Sequence, residues 1–146
     1  MPLRTRTTWF GVVLDSTDAR ALARFYADLL GWQIFNESDT WVDLAPSEDA
    51  GYNFAFATDP LYVPPVWPTV EGRPQMSMHL DLEVDDLAEG VAYALSVGAR
   101  LAEFQPQDDV RVLLDPAGHP FCLYIDRPND YIDRPDDSAA SSTADA

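Results

Sequence analysis

The chain has 146 residues, with 25 acidic and nine basic side chains and a formal net charge of −16; apolar residues make up 47% and aromatics 12%, enough for one packed domain and too many for a disordered or fibrous body. All nine basic residues are arginine, which excludes Schiff-base and phosphate-loop lysines, and the acidity argues against nucleic-acid partners, whose phosphates need clustered cations. A single cysteine, Cys122, excludes an internal disulfide and a Cys-rich zinc site; with no basic-then-apolar leader and no apolar run near the roughly 20 residues of a membrane span, a cytoplasmic protein without membrane contacts is expected.

Trp9 to Leu14 reads as a strand, and Asp18 to Leu30 as a helix with Leu22, Phe25, Tyr26 and Leu29 on one face and Gly31 as its stop. Three short strands follow at Trp32 to Asn36, Thr40 to Leu44 and Tyr52 to Ala57, separated by turn-rich segments. Residues 59–74 are too proline-dense for a helix or a central strand. This connector is expected to lay Tyr62 and Trp67 as a wall or lid across a cavity mouth, with plain crossover packing as the alternative. The plan then repeats: a strand from Gln75 to Val84, a helix from Asp86 to Val97 with Leu87, Val91, Ala94 and Leu95 on one face, and strands at Arg100 to Phe104, Val110 to Leu114 and Phe121 to Ile125. Beyond Asp126 the composition turns acidic, with two copies of Asp-Arg-Pro, and residues 127–146 are expected to form a disordered tail.

A shift of 67 positions carries Gly31 onto Gly98, Gly51 onto Gly118 and Phe54 onto Phe121. The expected fold is therefore α+β, a single domain over residues 1–126 built from paired β-α-β-β-β modules at 8–58 and 75–126. One helix covers one face of each sheet, and pairing the modules turns the bare faces into a U-shaped cup. Alternation along Gln75 to Val84 sends Met76, Met78, Leu80, Leu82 and Val84 under the helix, and Ser77, His79, Asp81 and Glu83 to the bare face. The same period puts Cys122 and Tyr124, Trp9, Gly11 and Val13, and Asn53, Ala55 and Ala57 on that face. Gly11, Ala55, His79 and Cys122 thus reach comparable positions on four strands.

In these features the chain resembles the vicinal oxygen chelate superfamily of glyoxalase, bleomycin-resistance and extradiol-dioxygenase proteins. The resemblance rests on Val12 to Trp32 with its Phe25-Tyr26 and Leu29-Leu30-Gly31-Trp32, on His79-Leu80-Asp81-Leu82-Glu83-Val84, and on Asp115-Pro116-Ala117-Gly118-His119-Pro120-Phe121-Cys122-Leu123. It implies a cup that in many members holds one divalent metal and an oxygen-rich substrate, and it implies a homodimer. In metal-dependent members the ligands are His or Gln on the first strand, Glu on the fourth, His or Gln on the fifth and Glu on the eighth. Those places fall on Gly11, Ala55, His79 and Cys122, of which only His79 is a usual ligand, so no metal cofactor is expected. A shifted site recruiting Asp81 or Ser77 is the alternative.

His79 is read as the acid-base group or polar anchor of the cup, since an imidazole exchanges protons near neutral pH. Cys122 would be a nucleophile only if a neighbour lowered its pKa, and is otherwise a cavity wall. His119 is read as structural. Trp9, Trp41, Tyr62, Trp67 and Tyr124 offer stacking or wall surface, Ser77 and Asp81 polar contacts, and Arg111 a partner for a ligand carboxylate, with a surface ion pair as its alternative. Three functions stay open. The preferred one is a metal-free cup binding a small, partly aromatic molecule, for which the acidity suits a cation. The others are a lyase, isomerase or dioxygenase-like enzyme using His79 with a weakly held or non-standard divalent metal, and a dimeric scaffold without ligand.

Overall fold

The computed structural model describes residues 9–125, so the tail at 127–146 lies outside the described residues. Asp18 starts the first helix: it is extended, and its carboxylate accepts a hydrogen bond from the Ala21 amide at 3.0 Å. That helix, α1 (Ala19–Leu30), ends where Gly31 takes the left-handed conformation at φ 67°. Asp86 plays the same starting role for α2 (Leu87–Ser96), accepting from the Glu89 amide at 2.8 Å. The strands are β1 (Phe10–Ser16), β2 (Gln33–Glu37), β3 (Trp41–Ala45), β4 (Tyr52–Thr58), β5 (Asp81–Glu83), β6 (Arg100–Leu101), β7 (Val110–Leu114) and β8 (Pro120–Tyr124).

The internal repeat is realised as two four-stranded sheets of identical plan, ordered β1-β4-β3-β2 and β5-β8-β7-β6. The first and last strands of each module are parallel and the other pairs antiparallel, as a helical crossover followed by a meander requires. The sheets meet where β1 runs beside the segment entering β5: Val12 and Leu14 share a crevice with Met78, His79 and Leu80. On their helix-covered faces lies one continuous core holding Leu22, Phe25 and Tyr26 of α1, Val42, Leu44, Phe54 and Phe56 of the first sheet, and Leu113, Phe121 and Leu123 of the second. Tyr26 sits at its centre, stacked on Phe56 at 5.4 Å between ring centroids and edge-on to Phe54 and Phe25 at 4.8 and 4.9 Å. Its hydroxyl donates to Asp115 of the second module at 3.0 Å, so this bond ties the two modules together.

Three expectations are corrected. The strand expected from Gln75 to Val84 is confined to Asp81–Glu83. Cys122 donates its amide to the Leu80 carbonyl at 2.8 Å, and the next donor back along that edge of β8 would be residue 120, a proline without an N–H. Upstream of Leu80 the ladder therefore stops, and Met78, expected under the helix, is 67% exposed. Leu95, expected on the inner face of α2, is exposed, while Ala94, expected beside it, is buried. The strand expected from Arg100 to Phe104 ends at Leu101 because a side chain takes over from the backbone. Gln105 donates its amide group to the Ala102 and Val112 carbonyls, both at 2.8 Å, and accepts from the Val112 amide at 2.9 Å.

Candidate functional site

The faces turned away from the helices carry two hollows, one on each sheet. The hollow of the second module, about 350 Å³, is lined by His79, Asp81 and Cys122 with Gln107, Asp109, Val110, Tyr124 and Ile125. Parallel pairing sets Asp81 directly opposite Cys122, and His79 lies two residues upstream on the same side. His79 Nε2 stands 3.1 Å from Asp81 Oδ1, and single donor atoms of His79, Asp81 and Cys122 all lie within 4.8 Å of one another. Burial, then the Asp81 charge and the hydrogen bond to it, push the Cys122 thiol up to about 11. Cys122 is therefore a neutral thiol at physiological pH. The condition for a nucleophilic role is reversed, because its closest charged neighbour is an acid.

The donor set bears directly on a metal. Gly11 and Ala55 offer no donor atom and line neither hollow, so the four-strand ligand arrangement is not formed. What is assembled is a carboxylate and a thiol on two adjacent strands with an imidazole from the segment entering the first of them, a mixed set suited to a thiophilic ion such as Zn²⁺ rather than to an oxygen-ligated one. Such an ion would have to displace the thiol proton that burial and Asp81 hold in place.

The hollow of the first module, about 340 Å³, is lined by Trp9, Phe35, Asn36, Asp43, Asn53, Glu48 and their neighbours. A register irregularity between Ile34 and Asn36 makes Phe35 an extra residue in β2, so both Phe35 and Asn36 reach the hollow. Asp43 is its polar centre. Oδ1 accepts from the Trp41 indole N–H at 2.8 Å and from Asn53 Nδ2 at 3.1 Å, and Oδ2 accepts from Asn36 Nδ2 at 3.1 Å. The Trp9 indole N–H donates to Asn53 Oδ1 at 3.0 Å. Gly11 makes room for this: a Cβ there would stand 2.5 Å from Asn53 Oδ1.

The remaining candidates lie elsewhere. Tyr62 donates its hydroxyl to the Ala117 carbonyl at 3.1 Å and packs against His119, and Trp67 donates to the Phe104 carbonyl at 3.2 Å. The connector thus packs on the second module, and neither ring lines a hollow. Ser77 is exposed outside both. Arg111 pairs in register with Leu123, which places it on the helix-covered face, and its guanidinium donates to the carbonyls of Gln107, Asp108 and Val110. The sequence reading missed Asp43, Asn53 and Asn36 as a group, although alternation with Val42, Leu44 and Phe54 places Asp43 and Asn53 on the bare face. It also gave no role to Asp115, which is fully buried and accepts from Tyr26, from the Ala117 and His119 amides, and from His119 Nδ1 at 2.7 Å. His119 is therefore part of the turn's own framework.

Two β-α-β-β-β modules set side by side, with hollows on their helix-free faces, define the class: a glyoxalase-type α+β cup. The family model for the glyoxalase-like domain matches residues 11–124, and the chain belongs to this family within the vicinal oxygen chelate superfamily. Among solved structures, it is similar to a glyoxalase/bleomycin resistance protein/dioxygenase family enzyme from Burkholderia phytofirmans at 18% identity, covering 79% of this chain and 95% of that one, with a TM-score of 0.56. A glyoxalase family protein from Enterococcus faecalis follows at 19% identity, 78% and 94% coverage and a TM-score of 0.57. An antibiotic binding protein from a Streptomyces species matches at 17% identity, 87% and 99% coverage and a TM-score of 0.54. At these identities the structures establish the fold. No curated protein matches the sequence. No helix among the described residues is long and apolar enough to cross a membrane.

Proposed function

We propose that this protein binds a small organic molecule in its cup, without the four-ligand metal centre of the metal-dependent members, and with His79 as a polar anchor. The observation that carries this reading is the chemistry of the two hollows. Each is of small-ligand size, open on the helix-free side, and combines aromatic rings with a few convergent polar groups. The antibiotic-binding neighbour of the same fold is consistent with it. A homodimer in the cytoplasm is the expected working form.

The test is a thermal-shift and ligand-observed NMR screen of small aromatic and polar compounds against the protein and His79→Ala. A compound that raises the melting temperature saturably, and much less in His79→Ala, is the expected result. Turnover of any bound compound would overturn the binding-only reading. If nothing binds either hollow, the scaffold reading takes its place.

One observation favours a second reading, a lyase or isomerase working with a bound ion: the three donor atoms of His79, Asp81 and Cys122 within 4.8 Å. In that case these three side chains would hold the ion, which would supply a Lewis acid beside Tyr124. Elemental analysis of protein purified without chelator or affinity metal separates the two. Near-stoichiometric Zn²⁺ that is lost in Cys122→Ala would establish the second reading, and metal-free protein unaffected by added divalent ions would leave the first.

A further inference from the structure

We infer that the hollow of the first module is a site for a cationic organic group, of the ammonium or guanidinium class. This rests on the cup-binding reading above and specifies the charge of what is bound. Most of the hollow's hydrogen-bond donors are already committed: the Trp9 indole N–H and one proton from each amide of Asn36 and Asn53 go to Asn53 or Asp43, the Ser47 hydroxyl bonds Asp49, and the Trp41 indole N–H beside the hollow also goes to Asp43. Against the one proton left on each amide stands a larger acceptor capacity, on the carboxylates of Asp43 and Glu48 and the amide oxygens, together with the aromatic rings of Trp9 and Phe35.

Asp43 is half-buried and, among the described residues, has no arginine or histidine within ion-pairing distance; the basic side chains that do pair with acids are Arg20, Arg24, His79 and His119. Three neutral donors fix the carboxylate in place without neutralising it, and with Glu48 also at the hollow an anionic ligand would meet net repulsion. A cation gains on both counts, from the carboxylate directly and from the ring faces by cation–π attraction. Gly11 belongs to the same arrangement, because a Cβ there would press on the Asn53 amide oxygen that accepts from Trp9. A net charge of −16 adds long-range attraction for the same class of ligand.

The test compares choline with its neutral isostere 3,3-dimethyl-1-butanol, by titration of the four tryptophan indole N–H signals in ¹⁵N-labelled protein, each assigned by a Trp→Phe variant. The expected result is saturable movement of the Trp9 and Trp41 signals by choline, at least about tenfold tighter than by the isostere and weakened by salt. Asp43→Asn keeps an acceptor for Trp41 and Asn53 and should cut the preference for choline several-fold, leaving only what Glu48 and the rings supply. Trp9→Leu, at an exposed position, should weaken choline without altering the unfolding temperature. Equal affinity for both probes in the unaltered protein, or movement confined to signals other than Trp9 and Trp41, overturns the inference. If choline is ignored while a screened compound binds beside His79, the inference fails and the cup-binding reading stands. If neither hollow binds anything, both fail.

Discussion

Asp115 is fully buried, yet four donors converge on its two oxygens, and this satisfies the desolvation cost that a lone carboxylate would carry. The consequences of removing a donor and removing the acceptor differ. Tyr26→Phe leaves three donors in place and should lower unfolding free energy by about 1–2 kcal/mol, while Asp115→Ala strands four donors and should lower it by about 3 kcal/mol or more in denaturant titration. Similar losses for both variants would mean that the Tyr26 hydroxyl, rather than the turn, dominates. At Cys122 the relevant quantity is thiolate fraction. With the thiol pushed up to about 11, alkylation by iodoacetamide should be slow at pH 8 and climb towards pH 11, and Asp81→Asn, which removes a raising charge, should shift that climb to lower pH. An unchanged profile in Asp81→Asn would show that burial alone sets the reactivity.

Among the elements, Gln105 is a side chain that stands in for a strand. Its amide replaces the ladder that β6 lacks, making three hydrogen bonds between the β6–β7 loop and Val112 or Ala102. Gln105→Ala should cost about 1–2 kcal/mol and raise amide hydrogen exchange at Val112 with little effect at β4, a pattern that a global loosening would not give. Both helices were legible in the sequence because their signals are local: Asp18 and Asp86 cap their own first turns, and Gly31 ends its own helix. The extent of β5 was not legible, because it depends on Pro120, which lies 39 residues after Asp81 and becomes its neighbour's neighbour only in the folded sheet. Arg111 illustrates the same limit. Alternation with Val110 and Val112 separates two faces, but only the pairing with Leu123 says which of them the helix covers. Asp81 and Cys122 share a face because two adjacent strands suffice to pair them, and His79 joins them although it lies just upstream of β5. The Asp43 arrangement draws on β2, β3 and β4 and on a bulge at Phe35 that alternation cannot foresee.

At the scale of the whole molecule, the two modules are joined at a place that is sensitive to alkali. Tyr26 of the first module and Tyr62 of the connector both reach the β7–β8 turn, and both phenols are raised, Tyr26 well above the ordinary value and Tyr62 to about 12. Burial is the main cause in each case and the Asp115 charge the next. A phenol whose folded pKa exceeds its unfolded value of 10 binds its proton more tightly in the native state. The stability this represents is complete below pH 10 and is lost as pH rises towards and through 12. Unfolding free energy should therefore be flat from pH 8 to about 9.5 and then fall, with the second module's β7–β8 amides losing exchange protection alongside those of α1. Tyr62→Phe removes one of the two titrating groups and should make the alkaline fall shallower, at the cost of its bond to the Ala117 carbonyl at neutral pH. Tyr26→Phe should do the same from the other side of the joint. An alkaline fall that is equally steep in both variants would place its origin away from this joint, in the general repulsion of a chain with net charge −16, and added salt would then flatten it.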